Sequence, residues 1–306
     1  MSKKDRKKLI SLIAVFVVAL YSFVVNEVKT SQKRAKVSTV TYENVASDAA
    51  GKDVFFVHYI DVGQGDCTLV ETPGGKFVLI DAGTNDSEYE LLSYLDSRKV
   101  KHIECMFLTH PHEDHIGSAD AVLDSFYVHN VVKTDRDDGC SNCENLDRSI
   151  EESKNHIGTK VTEPLTGDKY VIDGIEFLVL SDGREYEDYN DSSICIRMEY
   201  GKSTFIFTGD AQSKVERDIL FSDMDVSAEV LKCGHHGSST SSCEEFLGAV
   251  EPDIAIISCG ENNSYGHPHD EVLESLADRG VTVYRTDEDG NIVLKCTTEQ
   301  ISYLAA

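Results

Sequence analysis

The segment LTHPHEDHIG places His110, His112, Asp114 and His115 within six residues, directly behind the apolar stretch IECMFLT. Imidazole and carboxylate donors at this density suit Zn, Mn or Fe, and there are enough of them to serve two neighbouring ions. One loop cannot complete such a shell, so the fold must bring further strand ends to the same edge. Three segments offer donors: IDAG ends an apolar run on Asp81, FIFTGDA ends another on Asp210, and LKCGHHGSS sets His235 and His236 behind a third. Asp81 by itself would serve equally well as a turn residue. Asp210 carries more weight, because a carboxylate whose two oxygens are shared between ions is what a two-metal site needs. Adjacent histidines after a glycine are hard to explain as core packing.

The surrounding pattern supplies those strands. VFFVHYI (54–60), CTLVET (67–72) and KFVLID (76–81) are short apolar runs separated by glycine-rich turns, the signature of strands and hairpins. Helical spacing of Leu91, Leu92 and Leu95 follows at 87–99, then a strand at 103–109, a helix at 117–124 and a strand at 126–132. Residues 134–157 read as a polar insert, helical in its later part. Strands are expected at 169–172, 175–180, 193–200 and 203–208. The rest alternates: helices 211–221, 242–250 and 270–279, strands 227–232, 253–258 and 281–285, and a last hairpin at 291–303. Two halves that each run from strands to helices predict sheets packed face to face with helices outside.

The N-terminus is of a different character. Residues 1–8 are basic, and Leu9 to Val25 form an apolar stretch interrupted only by Ser11, Tyr21 and Ser22. As a helix it reaches about 26 Å, the short end of a bilayer span. It reads as a transmembrane signal-anchor ahead of a polar tether at 26–52 and a globular domain at 53–306; a cleaved secretory signal and a buried soluble helix are the alternatives. Residues 1–36 hold nine Lys+Arg against two acids, leaving 20 bases and 52 acids beyond them. A body this acidic repels polyanions, so a nucleic-acid substrate would need bound cations to offset the field. Nine cysteines, an odd number, sit awkwardly with export. Most lie in apolar runs; Cys140 and Cys143, in DDGCSNCEN, read as a local disulfide or two idle thiols, since no second CxxC follows to suggest a zinc site.

Taken in order, IDVGQGD (60–66), Asp81, LTHPHEDHIG, TGDA, LKCGHHGSS and NNSYGHP (262–268) resemble the motifs of the metallo-β-lactamase-fold superfamily. They are most similar to the hydrolase domain of ComEC-type DNA-uptake proteins, and also to phosphorylcholine esterases of the bacterial surface. The resemblance implies an α+β, four-layer αββα sandwich with two divalent ions, Zn or Mn, at one edge. It implies that His110 and His112 hold one ion, Asp114 and His115 the second, that Asp210 bridges, and that His236 completes the second shell. Asp81 would fix a ligand imidazole, while His235 and His267 would contact substrate or protonate the leaving group. Gln64 and Asp66 would form a tight turn at the site floor, and His269 would cap a helix. Many superfamily members carry a further His about twenty residues before the bridging Asp. This chain reads EDYNDSSICIRM there, leaving Asn190, Asp191 or water for the first ion, a gap that ComEC-type relatives share.

The function so implied is hydrolysis of a phosphodiester, in nucleic acid or an envelope polymer such as teichoic acid, by a hydroxide held between two metal ions outside a membrane. A lactone, thioester or β-lactam bond, or an inactive binding protein, are the alternatives, and no protein partner is indicated. A serine hydrolase built on Ser238 lacks the GxSxG elbow.

Overall fold

Alternation of side chains along short apolar runs decides the architecture, and it is read here from a computed structural model that describes residues 53–184 and 186–304. The first half comprises β1 (Val54–Tyr59), β2 (Thr68–Glu71), β3 (Phe77–Ile80), α1 (Glu88–Ser97), β4 (His102–Ile103), β5 (Cys105–Leu108), α2 (Glu113–Ile116), α3 (Ala119–Ser125), β6 (Tyr127–Val128), β7 (Asn130–Lys133), α4 (Ser141–Ile157) and β8 (Lys160–Thr162). The second half comprises β9 (Lys169–Ile172), β10 (Ile175–Ser181), β11 (Cys195–Tyr200), β12 (Ser203–Phe207), α5 (Ser213–Leu220), β13 (Val230–Lys232), α6 (Glu244–Val250), β14 (Ile254–Ile257), α7 (Asp270–Asp278), β15 (Thr282–Arg285), α8 (Thr286–Asp289), β16 (Ile292–Thr297) and β17 (Ile301–Leu304).

Two sheets result. One has the order β17-β16-β1-β2-β3-β5-β7-β8, the other β15-β14-β13-β12-β11-β10-β9. Each is antiparallel on one side and parallel on the other: β3, β5, β7 and β8 run together, as do β12, β13, β14 and β15. Between the sheets lies a core of Phe55, Val57, Tyr59, Phe107, Phe177, Phe205 and Phe207. Because successive strand residues face opposite ways, β5 sends Phe107 inward and Met106 and Leu108 outward, where they meet Leu91 and Leu95 of α1 and Leu146 and Ile150 of α4. In the second sheet Ile206 faces Val215, Phe246 and Leu276 of the opposite helical layer. The four layers of the expected αββα sandwich are thus present.

Parallel strands that start together also end together. The loops after β3 and β5 in one sheet and after β12, β13 and β14 in the other are therefore the segments that carry Asp81, His110 to His115, Asp210, His235–His236 and His267.

Some boundaries differ from the sequence expectation. The strand foreseen at 126–132 breaks at His129: Tyr127 and Val128 pair with His102 and Ile103 in a separate two-stranded sheet, while Asn130–Lys133 joins the main sheet. The helix foreseen at 117–124 is α3, shifted to Ala119–Ser125 and preceded by the unforeseen short helix α2, and the short strand β8 and helix α8 lie in stretches too polar to signal themselves. The anchor at 9–25 and the tether at 26–52 lie outside the described residues. Among the described residues no helix is long and apolar enough to cross a membrane.

Phe205 is fully buried between the sheets, edge-on to Phe55 with ring centroids 6.0 Å apart. Phe205→Ala is expected to lower unfolding stability by about 3–5 kcal/mol, measured by urea denaturation. A loss under about 1 kcal/mol would mean that the inter-sheet layer is not close-packed there.

Candidate metal centre

The centre is built outward from Asp81, which ends β3 in the left-handed region at φ 59°. A non-glycine residue held there is uncommon and is found where surrounding bonds over-determine it. Its amide donates to the Phe107 carbonyl at 2.8 Å. Its carboxylate accepts the Thr109 amide on Oδ1 and the Thr109 hydroxyl on Oδ2, both at 2.8 Å, and Oδ2 stands 2.8 Å from His115 Nδ1. An ionised carboxylate only accepts, so His115 must carry its proton on Nδ1. That leaves Nε2 to face Asp210.

Asp210, 2% exposed, is where the two sheets meet chemically. Its Oδ1 lies 3.1 Å from His115 Nε2; its Oδ2 lies 3.6 Å from His236 Nε2, 3.7 Å from His235 Nε2 and 3.9 Å from His110 Nε2. His236 Nε2 is also 3.1 Å from Asp114 Oδ2, and His110 Nε2 is 3.1 Å from His112 Nδ1. Donor atoms of Asp114, His115, Asp210 and His236 fall within 4.8 Å of one another. Two of these atoms, His115 Nε2 and Asp210 Oδ1, are buried yet make no hydrogen bond. Buried polar atoms are seldom left so. A lone pair facing a carboxylate oxygen is repulsive unless a proton or a cation lies between them, and the nitrogen and oxygen donors present suit a divalent ion.

A second carboxylate supports His236 from below. His236 Nδ1 donates to the Ser258 carbonyl at 3.0 Å and has Asp66 Oδ1 3.3 Å away; Asp66 Oδ2 pairs at 2.8 Å with Lys232 Nζ, itself 2% exposed. The Asp66 amide donates to the Asp114 carbonyl at 3.0 Å. That approach explains Gly65, whose place leaves no room for a Cβ: one would sit 2.5 Å from the same carbonyl oxygen. Sequence reading placed Asp66 at the site floor but missed Lys232, which hides as one charge in the apolar run VLKC.

Burial and charge compete throughout. Burial lowers the pKa of His110, and the neighbouring His115 lowers it further, leaving a neutral imidazole. Burial also opposes charge on His115 and His236. For His115 the carboxylates of Asp210 and Asp81 prevail and raise its pKa; for His236, Asp210 and Asp66 raise it to about 10. Without cations this pocket therefore holds protons on two imidazoles.

At the rim, His267 has Gln64 Nε2 at 3.5 Å from its Nδ1, and the exposed ring of Tyr265 stacks on it with centroids 5.6 Å apart. Gln64 Oε1 accepts the Gly260 amide at 3.0 Å, so the Gln64 side chain ties two loops together. His235 Nδ1 lies 3.1 Å from the Thr240 hydroxyl. His269 stays out of the cluster: it precedes α7, and its Nδ1 accepts the Ser239 amide at 2.9 Å. Where a further His was missing, Asp191 commits Oδ1 to the Gln212 amide at 3.0 Å, and Ser193 instead puts its hydroxyl 3.3 Å from His110 Nδ1.

The sequence profile of the Metallo-beta-lactamase superfamily matches residues 60–261. ComE operon protein 3 of Bacillus subtilis (strain 168) is 34% identical over 254 residues, covering 77% of this chain and 32% of that protein. Recombination protein 2 of Haemophilus influenzae is 31% identical over 247 residues, covering 79% of this chain and 29% of that protein. The chain thus spans under a third of the length of these curated relatives. Among solved structures, CmlA, a diiron beta-hydroxylase from Streptomyces venezuelae, shares the fold with a TM-score of 0.52 at 14% identity, covering 79% of this chain and 54% of that one.

A divalent ion entering this pocket must displace the protons held on His115 and His236. Adding Zn or Mn to ion-free protein in weak buffer is expected to release protons. The apparent affinity should rise with pH through neutrality, by up to about tenfold per pH unit for each proton displaced. Calorimetry in buffers of different ionisation enthalpy measures the release, and uptake without any would place the ion elsewhere.

Proposed function

Because the chain belongs to the metallo-beta-lactamase superfamily, whose members are generally hydrolases, we propose that it hydrolyses phosphodiesters with two divalent cations, Zn or Mn, gathered at Asp210. The observation that carries this reading is the convergence of imidazole and carboxylate donors from both sheets on one buried carboxylate, with His115 Nε2 and Asp210 Oδ1 lacking any hydrogen bond. His110, His112 and Asp210 would hold one ion; Asp114, His115, His236 and Asp210 would hold the other. When bound, such ions activate water at neutral pH and offset charge on phosphoryl oxygens.

The side chains divide the remaining work. Asp81 fixes the His115 tautomer, and Asp66, itself anchored by Lys232, stands behind His236; both are positioning roles of the kind that orient metal ligands. His267 sits where it can reach a leaving oxygen. Its Gln64 neighbour uses the amide oxygen on Gly260 and offers the amide nitrogen to Nδ1, which leaves the His267 proton on Nε2. Burial, with His236 and His235 beside it, lowers the His267 pKa to about 4, so it donates a hydrogen bond from its neutral form. His235 is likewise held neutral by burial and contacts substrate beside it.

A relative named Recombination protein 2 favours nucleic acid over teichoic acid as the polymer. Localisation follows the apolar segment Leu9 to Val25: a single-pass anchor, with the hydrolase domain outside the cell membrane.

Metal-dependent turnover of bis-p-nitrophenyl phosphate tests the reading. Asp210→Ala and His115→Ala are expected to abolish it, Asp81→Asn to reduce it about 10–100-fold, and His267→Ala to lower kcat while metal content stays unchanged. Stoichiometric metal without phosphodiester turnover would move the assignment to a lactone, thioester or β-lactam bond.

A further inference from the structure

The insert between β7 and β8 carries a second set of metal-type donors, independent of the centre at Asp210. Asp138, Cys140 and Cys143 place a carboxylate oxygen and two sulfurs within 4.8 Å of one another. The sulfurs stand 3.9 Å apart, and Cys143 Sγ lies 3.4 Å from Asp138 Oδ1. A disulfide would need about 2.0 Å. Tetrahedral zinc, with Zn–S of about 2.3 Å and Zn–O of about 2.0 Å, needs an S···S edge of about 3.8 Å and an S···O edge of about 3.5 Å. Both observed separations match the zinc polyhedron.

Local structure explains why these donors converge. Cys140 is the residue before α4, a helix of 17 residues, and Cys143 lies one turn in, on its buried face. Asp138 is bent back over the helix start by accepting the Cys140 amide on Oδ1 at 2.9 Å. A helix N-terminus favours thiolate over thiol, which offsets in part the burial that pushes the Cys143 thiol up. Cys140 and Asp138 are half-buried, so a fourth position faces solvent.

We propose that Asp138, Cys140 and Cys143 form a separate, thiophilic cation site that takes Zn(II) with water as the fourth ligand. Two thiolates select Zn over Mn, the opposite of a carboxylate-rich shell. The consequence is mechanical. Cys143 Sγ is 4.0 Å from the Pro111 carbonyl, between His110 and His112. The preceding residues grip the loop before β11: the Asp137 carbonyl accepts the Tyr189 hydroxyl at 3.1 Å, and Arg136 donates to the Glu187 carbonyl at 2.9 Å and lies over the Tyr189 ring. Tyr189 in turn sets its ring 5.9 Å from that of His112. An ion at Cys140 and Cys143 would fix the wall of the His110–His112 side.

Cobalt substitution tests this without reference to catalysis, because none of the donors at Asp210 is a sulfur. The full-length chain, purified with its thiols reduced and then loaded with Co(II), is expected to show a thiolate-to-cobalt charge-transfer band. The Cys140→Ser/Cys143→Ser double variant should lose the band and one metal equivalent while keeping the rest, and Asp138→Ala should weaken Co(II) binding at the band about tenfold or more. Absence of the band in the wild-type chain, a measurement that needs no variant, would overturn the assignment, as would a band that survives in the double variant. So would a thiol count two short of the nine cysteines in the sequence, which would place the pair in a disulfide. Failure of the Asp210 centre would instead leave this band in place and remove the other metal equivalents.

Discussion

An ionised carboxylate taken out of water costs several kcal/mol unless positive charge or donors surround it, and Asp210 is such a group at the seam between two sheets. Imidazoles of His115, His236, His235 and His110 approach it from two loops of separate sheets, all within 3.9 Å. The parallel halves of the sandwich make this possible by ending β3, β5, β12, β13 and β14 at one edge. The supporting carboxylates then follow a pattern: Asp81 behind His115, and Asp66 with Lys232 behind His236. In the ion-free protein, protons on His115 and His236 balance the buried acids. Two divalent ions in their place would bring four positive charges where the protons bring two, leaving a net positive centre with chemistry attached.

The acidic body would give a cation-filled centre a further role. Beyond residue 36 the chain has 52 acids against 20 bases, and the basic groups near the site are already engaged. Lys232 is paired with Asp66, and Arg136 is bonded to the backbone at Tyr186 and Glu187. A phosphodiester would therefore meet its compensating charge almost wholly at the bound cations. Such a surface disfavours tight, sequence-independent tracking along a polyanion, and suits attack on one bond presented at the rim, where Tyr265 and His267 stand.

Much of this was legible in the sequence because strand ends announce themselves. His110, His112, Asp114 and His115 crowd six residues after an apolar run, and Asp81, Asp210 and the His235–His236 pair each close a hydrophobic stretch, so local pattern alone picked out the donors. What escaped were features defined by partners distant in sequence. Lys232 looks like an interruption of a strand until Asp66 is set beneath it, from a segment more than 160 residues earlier. Ser193 is one serine among several until Asp210 donates its amide to it at 3.0 Å. Cys140 and Cys143 read as a disulfide or idle thiols because no second CxxC follows them in the sequence. The break at His129 likewise depends on pairing with His102 and Ile103, which no local periodicity encodes.

Anomalous scattering from crystals of the chain grown with Zn or Mn tests the central claim most directly. Two peaks flanking the Asp210 carboxylate, about 3.5–4 Å apart as in two-metal hydrolases, one against His110 and His112 and the other against Asp114, His115 and His236, are the predicted result. A single peak, or none within coordination distance of Asp210 at saturating metal, would contradict it.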